Sequence, residues 1–273
     1  KCMLEIFTYG FMQRAFIVGN VIAVIAALIG VILILKRLAL IGHTLSHVAL
    51  AGVALGMLLG VYPVYTALIV SVIAGLGIEN LRKKYNDYAE LSLSIVLATG
   101  LGLATILISL TNSNSGIFSY LFGSISLVSW QDLMLVLPLG VMIIAIMGAL
   151  YYGFFFLAFS EQEAKLAGIP VKVLNILFIV LVSVTISLSM RIVGGLLISS
   201  LITLPVATAL QLAKSFKGTV FYSVLFSVLA VNSGLFISFY QDLAPGGTII
   251  LASVGYLLLV LLFNFVKQNL YKV

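Results

Sequence analysis

Charged residues are scarce in this sequence, and their scarcity excludes most classes of protein. Only 8% of residues are charged and 63% are hydrophobic, with a mean hydropathy of +1.28. Soluble domains carry about a quarter charged residues, so this composition cannot supply a water-exposed surface. The cations are also scattered between apolar runs rather than gathered on one face, which argues against a nucleic-acid partner. The composition predicts an integral membrane protein.

The chain has one cysteine and no recognisable catalytic motif. The single cysteine, Cys2, excludes an intrachain disulfide and a cysteine metal cluster. No nucleophile elbow and no phosphate-binding glycine loop is present, so we expect neither hydrolytic chemistry nor ATP hydrolysis by this chain. The first apolar run, Ala15 to Leu35, continues into further hydrophobic sequence without a small-residue cleavage site. We therefore expect this run to remain in the mature protein.

Long uncharged runs fill the chain. Crossing ~30 Å of hydrocarbon takes about 20 helical residues, whereas barrel strands need about ten with strict alternation. Nine runs qualify as helices: Ala15 to Leu35, Leu45 to Leu59, Val61 to Ile78, Leu91 to Leu110, Leu133 to Phe159, Val173 to Met190, Ile192 to Ala213, Gly218 to Tyr240 and Leu243 to Val266. The sequence thus predicts an all-α bundle of nine spans in a single domain, residues 1–273. Eight spans remain an alternative if the short run from Leu45 does not cross.

The positions of the cations predict the orientation. Lys and Arg accumulate in cytoplasmic loops, and the nine-span arrangement brings 11 of the 14 cations to one side. The remaining three are Lys1, Arg14 and Arg191. The N-terminus is therefore expected outside and the C-terminus inside.

Two segments depart from simple spans. Thr111 to Gln131 combines turn residues with an apolar fragment too short to cross, which indicates a half-helix entering from the outer face. Phe159 to Pro170 carries both charge signs in helix-favouring order and ends with Gly168 and Pro170. This pattern predicts a short helix on the cytoplasmic surface.

Both histidines of the chain, His43 and His47, lie four residues apart in the segment Leu40 to Gly56. On an α-helix that spacing places both imidazoles on one face, where they can hold one metal ion. Thr44 and Ser46 are expected on the same polar face. Ionisable groups within membrane segments usually serve function. We interpret the pair as a metal contact; the alternative is that each histidine only hydrogen-bonds a neighbouring helix.

Pro205 interrupts an apolar span rich in Ser and Thr. A proline within a helix removes a backbone donor and favours a kink. The kink can act as a gate, or it can be an ordinary transmembrane proline. Asp132, close to Trp130 at the predicted outer interface, is interpreted as a helix cap.

Four stretches together resemble the membrane permeases of bacterial metal-ion ABC importers. They are LIGHTLSHVALAGVALG at Leu40 to Gly56, LFGSISLVSW at Leu121 to Trp130, AFSEQEAKLAGIPV at Ala158 to Val171, and RIVGGLLISSLITLPVATALQLA at Arg191 to Ala213. The resemblance extends over most of the chain. It implies a multi-pass protein of the bacterial cytoplasmic membrane, without a permanently bound cofactor.

The resemblance also implies partners and roles. A homodimer would join two cytoplasmic ATP-hydrolysing subunits and an extracytoplasmic metal-binding protein. The segment Glu161 to Gly168 would be the coupling helix, with these residues at the ATPase: Phe159, Ser160, Glu161, Ala164 and Gly168. The family has an aspartate where this chain has His43. Two imidazoles suit Zn²⁺, whereas a carboxylate partner suits Mn²⁺ better, but the loss of an anionic ligand weakens the attraction for any cation. The stretches TLSHVALAG and LFGSI resemble those of zinc permeases, so we expect zinc, with manganese or iron(II) as alternatives.

Three other classes of function stay open from the sequence. A secondary transporter or channel would need no ATPase, but it usually carries intramembrane carboxylates or arginines, and the span centres have almost none. A siderophore or cobalamin permease would share the general plan with a wider cavity. A membrane enzyme would need a reactive serine or histidine.

Overall fold

The computed structural model describes residues 5–85, 89–111 and 114–270, and this part of the chain is helical without β-strands. A short 3₁₀ helix, Glu5–Thr8, precedes twelve α-helices: α1 Gly10–Leu35, α2 Ala39–Leu59, α3 Pro63–Lys84, α4 Ala89–Leu110, α5 Asn114–Phe122, α6 Trp130–Ala149, α7 Tyr151–Phe159, α8 Glu161–Leu166, α9 Val171–Ser189, α10 Ile198–Leu210, α11 Phe216–Gln241 and α12 Pro245–Leu270. The predicted all-α membrane fold is confirmed. Lys1, Cys2 and Lys272 lie outside the described residues.

Within the described residues, eight helices are long and apolar enough to cross a bilayer, namely α1, α2, α3, α4, α6, α9, α11 and α12. Helices satisfy their backbone hydrogen bonds internally, which is what a lipid environment demands. Most residues of α1, α2 and α9 are buried, so these three helices form the centre of the bundle. Few residues of α4 and α12 are buried, and we expect these helices to face lipid.

Charged contacts identify the two ends of the bundle. Lys36 follows α1, and its Nζ lies 3.0 Å from Oε1 of Glu161 in α8; Arg82 near the end of α3 lies 3.8 Å from the same atom. We call this the inner end, because it collects every described Lys and Arg except Arg14 and Arg191. At the outer end, Arg191 after α9 lies 3.4 Å from Asp132 at the start of α6. Which of these ends faces the cytoplasm stays a prediction.

One of the nine predicted spans is shorter than predicted. The sequence predicts a full span over Ile192 to Ala213, but only α10 is helical there, and its 13 residues are too few to cross alone. Residues 190–197 form turns, since Gly194 has φ +90°, a conformation incompatible with a right-handed helix. The chain still reaches the inner end here, because Asn264 of α12 donates a hydrogen bond to the Gln211 carbonyl at 3.1 Å. Within the described residues, eight helices are therefore long enough to cross, and the remaining predicted span contains a helix of 13 residues.

The second span is longer than predicted. The sequence gives Leu45 to Leu59, whereas α2 begins at Ala39 and has 21 residues. The prediction left out Ala39 to Thr44 because this stretch contains polar residues. In the structure these residues are helical, and Thr44 is buried. The alternative in which this segment fails to cross is not supported by its length.

Three shorter features follow the predictions in part. The apolar run Leu133 to Phe159 is divided at Leu150, which ends α6 and begins α7 with φ −99° and ψ 21°. The predicted half-helix corresponds to α5, of nine residues. The predicted surface helix corresponds to α8 at the inner end, and Ser160 caps it by accepting a hydrogen bond from the Glu163 amide at 3.2 Å.

Candidate metal centre and its surroundings

His43 and His47 lie on consecutive turns of α2, with ring centroids 4.7 Å apart and ring planes at 83°. His43 is exposed and His47 is half-buried, on a helix that is otherwise mostly buried. Histidines four residues apart on one helical face form a recurrent zinc-binding pair. The described part of the chain brings no third His, Cys, Asp or Glu to them. A tetrahedral zinc ion takes four ligands, so this pair supplies half of a complete set.

Thr44 and Ser46 do not share the open face of the histidines, which corrects the sequence-based expectation. Both side chains are buried, and the Ser46 hydroxyl donates a hydrogen bond to the His43 carbonyl at 2.7 Å. Hydropathy alone could not separate these faces, because neighbouring helices cover one side of α2 and leave the other open. Their role in lining a pathway stays a prediction.

The turn segment 190–197 reaches α2 beside the histidines. A Cβ atom added at Gly195 would lie 3.8 Å from the Ser46 carbonyl oxygen, one residue before His47. The Gly195 amide donates to the Tyr120 carbonyl of α5 at 2.7 Å, and the Ser124 amide donates to the Arg191 carbonyl at 3.1 Å. The end of α5 and this segment therefore lie together on the outer side of the histidine pair.

Three glycines allow this contact between backbones. A Cβ at Gly123 would lie 2.0 Å from the Ile192 carbonyl oxygen, and one at Gly194 would lie 2.3 Å from that of Leu121. Gly246, at the start of α12, would meet the Val193 carbonyl oxygen at 2.0 Å. We call these three residues the glycine contact. No larger residue fits at any of them without movement of the backbone.

A buried carboxylate joins several segments of the outer end. Asp132 accepts hydrogen bonds from the Ser129 amide and hydroxyl, both at 2.8 Å, and from the Tyr62 hydroxyl. Arg191 lies 3.4 Å from this carboxylate and 4.8 Å from the Tyr120 ring centroid. Burial and the hydrogen bond to Asp132 raise the pKa of Tyr62. The predicted capping role of Asp132 is confirmed, and it extends to α3 and the segment after α9.

Pro205 is buried within α10, and the helix continues through it. The Thr203 hydroxyl donates to the Ser199 carbonyl at 3.0 Å. A Cβ at Gly30 of α1 would lie 2.2 Å from the Ile202 carbonyl oxygen, so α1 and α10 touch directly one turn from the proline. The gating role of Pro205 stays a prediction.

The inner end holds α8 against the bundle through one polar cluster. The Lys36 ammonium donates to Asn175 of α9 at 2.6 Å and to Glu161 at 3.0 Å, and Asn175 also donates to Glu161 at 3.1 Å. Glu79, buried near the end of α3, lies 3.1 Å from Arg82. The cluster joins α1, α3 and α9 to α8.

The pKa values of Lys36 and Glu161 are both lowered, for different reasons. Burial lowers the pKa of Lys36 although Glu161 acts in the opposite direction. Burial alone would raise the pKa of Glu161, but the hydrogen bond and charge of Lys36 outweigh it and lower that pKa. Burial outweighs the ion pair at Lys36, whose side chain is 6% exposed, but not at Glu161, whose side chain is 38% exposed.

The residues predicted at an ATPase contact differ in their surroundings. Phe159 is exposed, Gly168 ends α8 with φ +76°, and Glu161 points into the bundle towards Lys36. Ala164 is fully buried, and its role at a partner stays a prediction. Leu166, which sequence reasoning missed, is an apolar side chain of α8 that is 89% exposed. The sequence feature that could have identified Leu166 is a leucine next to charged residues in a predicted surface helix.

Comparison with known proteins places these features in a family. The model of the family described as ABC 3 transport family matches residues 8–264. The chain is 40% identical over 253 residues to a probable metal transport system membrane protein of Treponema pallidum, covering 93% of this chain and 95% of that protein. It is 30% identical over 254 residues to the high-affinity zinc uptake system membrane protein ZnuB of Haemophilus influenzae, covering 92% and 96%.

Other comparisons concern manganese and the fold. The manganese import system permease protein ScaB of Streptococcus parasanguinis is 29% identical over 251 residues, covering 92% of this chain and 90% of that protein. The solved structure of PsaBC from Streptococcus pneumoniae in complex with Fab matches with a TM-score of 0.84 and 29% identity, covering 94% of this chain and 92% of the other. The family resemblance predicted from the motifs is confirmed. This chain belongs to the ABC 3 transport family and is a multi-pass protein of the bacterial cytoplasmic membrane.

Proposed function

We propose that this chain is the membrane permease of an ABC importer that moves a divalent metal ion, with zinc as its cargo. The observation that carries the proposal is the pair of imidazoles, His43 and His47, on the open face of the otherwise buried helix α2. Relatives named for metal, zinc and manganese transport support the metal class. The whole chain, residues 1–273, acts as one permease domain.

The choice of zinc depends on ligand chemistry. Imidazole nitrogen suits Zn²⁺, whereas Mn²⁺ prefers carboxylate and other oxygen ligands. The two ligands at α2 are both imidazoles, and no described carboxylate joins them in a cluster. Manganese remains the alternative because relatives with either name exist.

A second copy of the chain completes the transporter in this proposal. Two ligands hold an ion too loosely for storage, and a transport site must release its ion. If the open faces of α2 from two copies meet, four imidazoles surround the pathway, which is the ligand number of tetrahedral zinc. The homodimer therefore explains why the histidine face is uncovered in a single chain.

ATP hydrolysis belongs to a partner subunit that docks at α8. The exposed Leu166 gives that subunit an apolar contact, and the pair Lys36–Glu161 connects α8 to α1 and α9. Movement of the ATPase subunits would then reach the helices that pack around α2. A metal-binding protein would deliver the ion at the outer end, where the glycine contact lies.

The test is ATP-dependent zinc uptake into proteoliposomes that contain the permease, its ATPase and the metal-binding protein. We expect His47→Ala to abolish uptake, because one of only two imidazoles is removed, while the complex still assembles. Val53→Ala is the matched control: it lies on the same helix but is buried. Uptake by His47→Ala at the wild-type rate would contradict the metal role.

Two rival functions give different results in the same assay. Uptake that continues without ATP would indicate a secondary transporter or a channel. Uptake of manganese in preference to zinc would retain the permease and change its cargo.

A further inference from the structure

A cavity opens where α6 gives way to α7. The helix break at Leu150 separates the two helices, and the space beside it has a volume of about 170 Å³. Its walls are almost entirely apolar and come from α1, α6, α7 and α11: Leu28, Ile32, Ile144, Met147, Gly148, Tyr151, Phe154, Phe216 and Val220. Leu28 and Ile32 belong to the last two turns of α1, so the cavity lies near the inner end.

Two shallower hollows continue this cavity towards the surface. Each has a volume of about 510 Å³, and both are lined by Tyr151, Tyr152 and Lys217. The Tyr151 and Phe216 rings, 5.5 Å apart, line both the cavity and the second hollow. We call the three spaces together the α7–α11 groove. The three spaces share Tyr151, and Lys217 lines the two outer ones.

Lys217 lines the opening of this groove, and Lys214 lies three residues before it in the sequence. Lys36, Arg82 and Lys83 are each paired with a glutamate. Lys217 and Lys214 are exposed, and neither has a carboxylate partner among the described residues. Two unpaired cations beside an apolar depression suit a ligand that has an anionic head and a hydrocarbon tail.

The depth of the groove suits the inner boundary of the bilayer. Tyr152 and Phe221 are exposed on its rim, and tyrosine is enriched where hydrocarbon meets the headgroups. Lysine side chains at that level extend their ammonium groups towards the lipid phosphates. The cavity then lies on the hydrocarbon side of Lys217, where an acyl chain would run.

We propose that the α7–α11 groove binds one phospholipid with an anionic headgroup from the inner leaflet. Lys217, with Lys214 close by, contacts the phosphate, and one acyl chain enters the cavity beside Gly148. The site is separate from the histidine pair and from the transported ion, so its failure would leave the proposed function standing.

The test compares spin-labelled phosphatidylglycerol with spin-labelled phosphatidylcholine on the purified permease in nanodiscs. The wild type should prefer phosphatidylglycerol. Lys217→Gln should lower that preference about fivefold, and the double change Lys214→Gln/Lys217→Gln about thirtyfold, by the usual value of a lysine at an anionic surface. Lys172→Gln, an exposed lysine at the start of α9, is the matched control and should behave as wild type.

A second variant tests the acyl-chain part. A Cβ at Gly148 meets nothing within 4 Å, so Gly148→Leu should fill the cavity without a clash at Cβ and reduce binding of both lipids. Gly102→Leu on α4 is the control. A Cβ at Gly102 also meets nothing within 4 Å, but this residue lies away from the groove, so the change should leave binding unchanged.

Three results would overturn the proposal. They are equal binding of the two lipids by the wild type, wild-type lipid binding by both Lys217→Gln and Gly148→Leu, and displacement of the lipid by the ATPase subunit. The last result would make the groove a subunit contact. If Gly148→Leu does not fold, the lysine variants decide the question.

Discussion

The two ends of the bundle are held together in different ways. At the outer end, the glycine contact brings backbone against backbone. The buried Asp132 accepts hydrogen bonds from Ser129 and Tyr62 there. At the inner end, α8 is held through long side chains, chiefly Lys36 and Glu161, the latter partly exposed. Backbone contact through glycine tolerates almost no change in spacing, whereas a lysine can follow a moving partner. The comparison suggests a rigid outer closure and an adjustable inner attachment.

The largest expected effect is at the outer end. Gly194→Ala places a Cβ 2.3 Å from the Leu121 carbonyl oxygen and forces φ +90° on alanine. We expect a loss of about 3 kcal/mol or more in the free energy of unfolding, from backbone strain plus overlap. Thermal unfolding of the purified permease measures it.

The matched control for this change is Gly168→Ala. Gly168 has φ +76° but open space around its Cβ position, so only the strain of about 1–2 kcal/mol applies. Equal destabilisation by the two variants would show that the backbone contact at Gly194 contributes nothing.

A smaller effect is expected from Lys36→Met at the inner end. The change removes the donor to Glu161 and Asn175, but Glu161 can still reach water, so we expect about 1–2 kcal/mol. In the assembled transporter it should also raise the number of ATP molecules hydrolysed per ion moved. Lys172→Met is the control, and the double variant Lys36→Met/Glu161→Gln should be less destabilised than the sum of its single changes.

The smallest expected effect is a pH dependence of the Glu161 contribution. Because the pKa of Glu161 is lowered in the folded protein, its stabilisation is present above the ordinary glutamate pKa of 4.5 and is lost as pH falls through the lowered value. Wild type should exceed Glu161→Gln by less than about 1 kcal/mol at neutral pH, given the exposure of the carboxylate. The two stabilities should converge in acid; a constant difference would argue against the ion pair.

The sequence predicted most of the helical spans and α8 because these depend on the local density of apolar and charged residues. It could not predict which face of α2 is open. In a membrane bundle, both core-facing and lipid-facing positions are apolar, so periodicity does not separate them. Thr44 and Ser46 were therefore placed with the histidines although they are buried.

Contacts between distant parts of the chain were also beyond the sequence. Lys36 and Glu161 are 125 positions apart, and nothing local indicates their pairing. The close approach of Gly194 to Leu121 is likewise a property of the assembled bundle. The same applies to Ala164, whose burial depends on how α8 packs beneath the helices.

The polarity of α2 has a consequence for biosynthesis. This helix has the lowest mean hydropathy of the eight long helices, and α1, directly before it, has the highest. A segment that carries two imidazoles partitions poorly into lipid on its own during translation. Because only residues 36–38 connect α1 and α2, we expect the two to leave the translocon as a hairpin, with the strongly apolar first helix drawing the histidine helix into the bilayer.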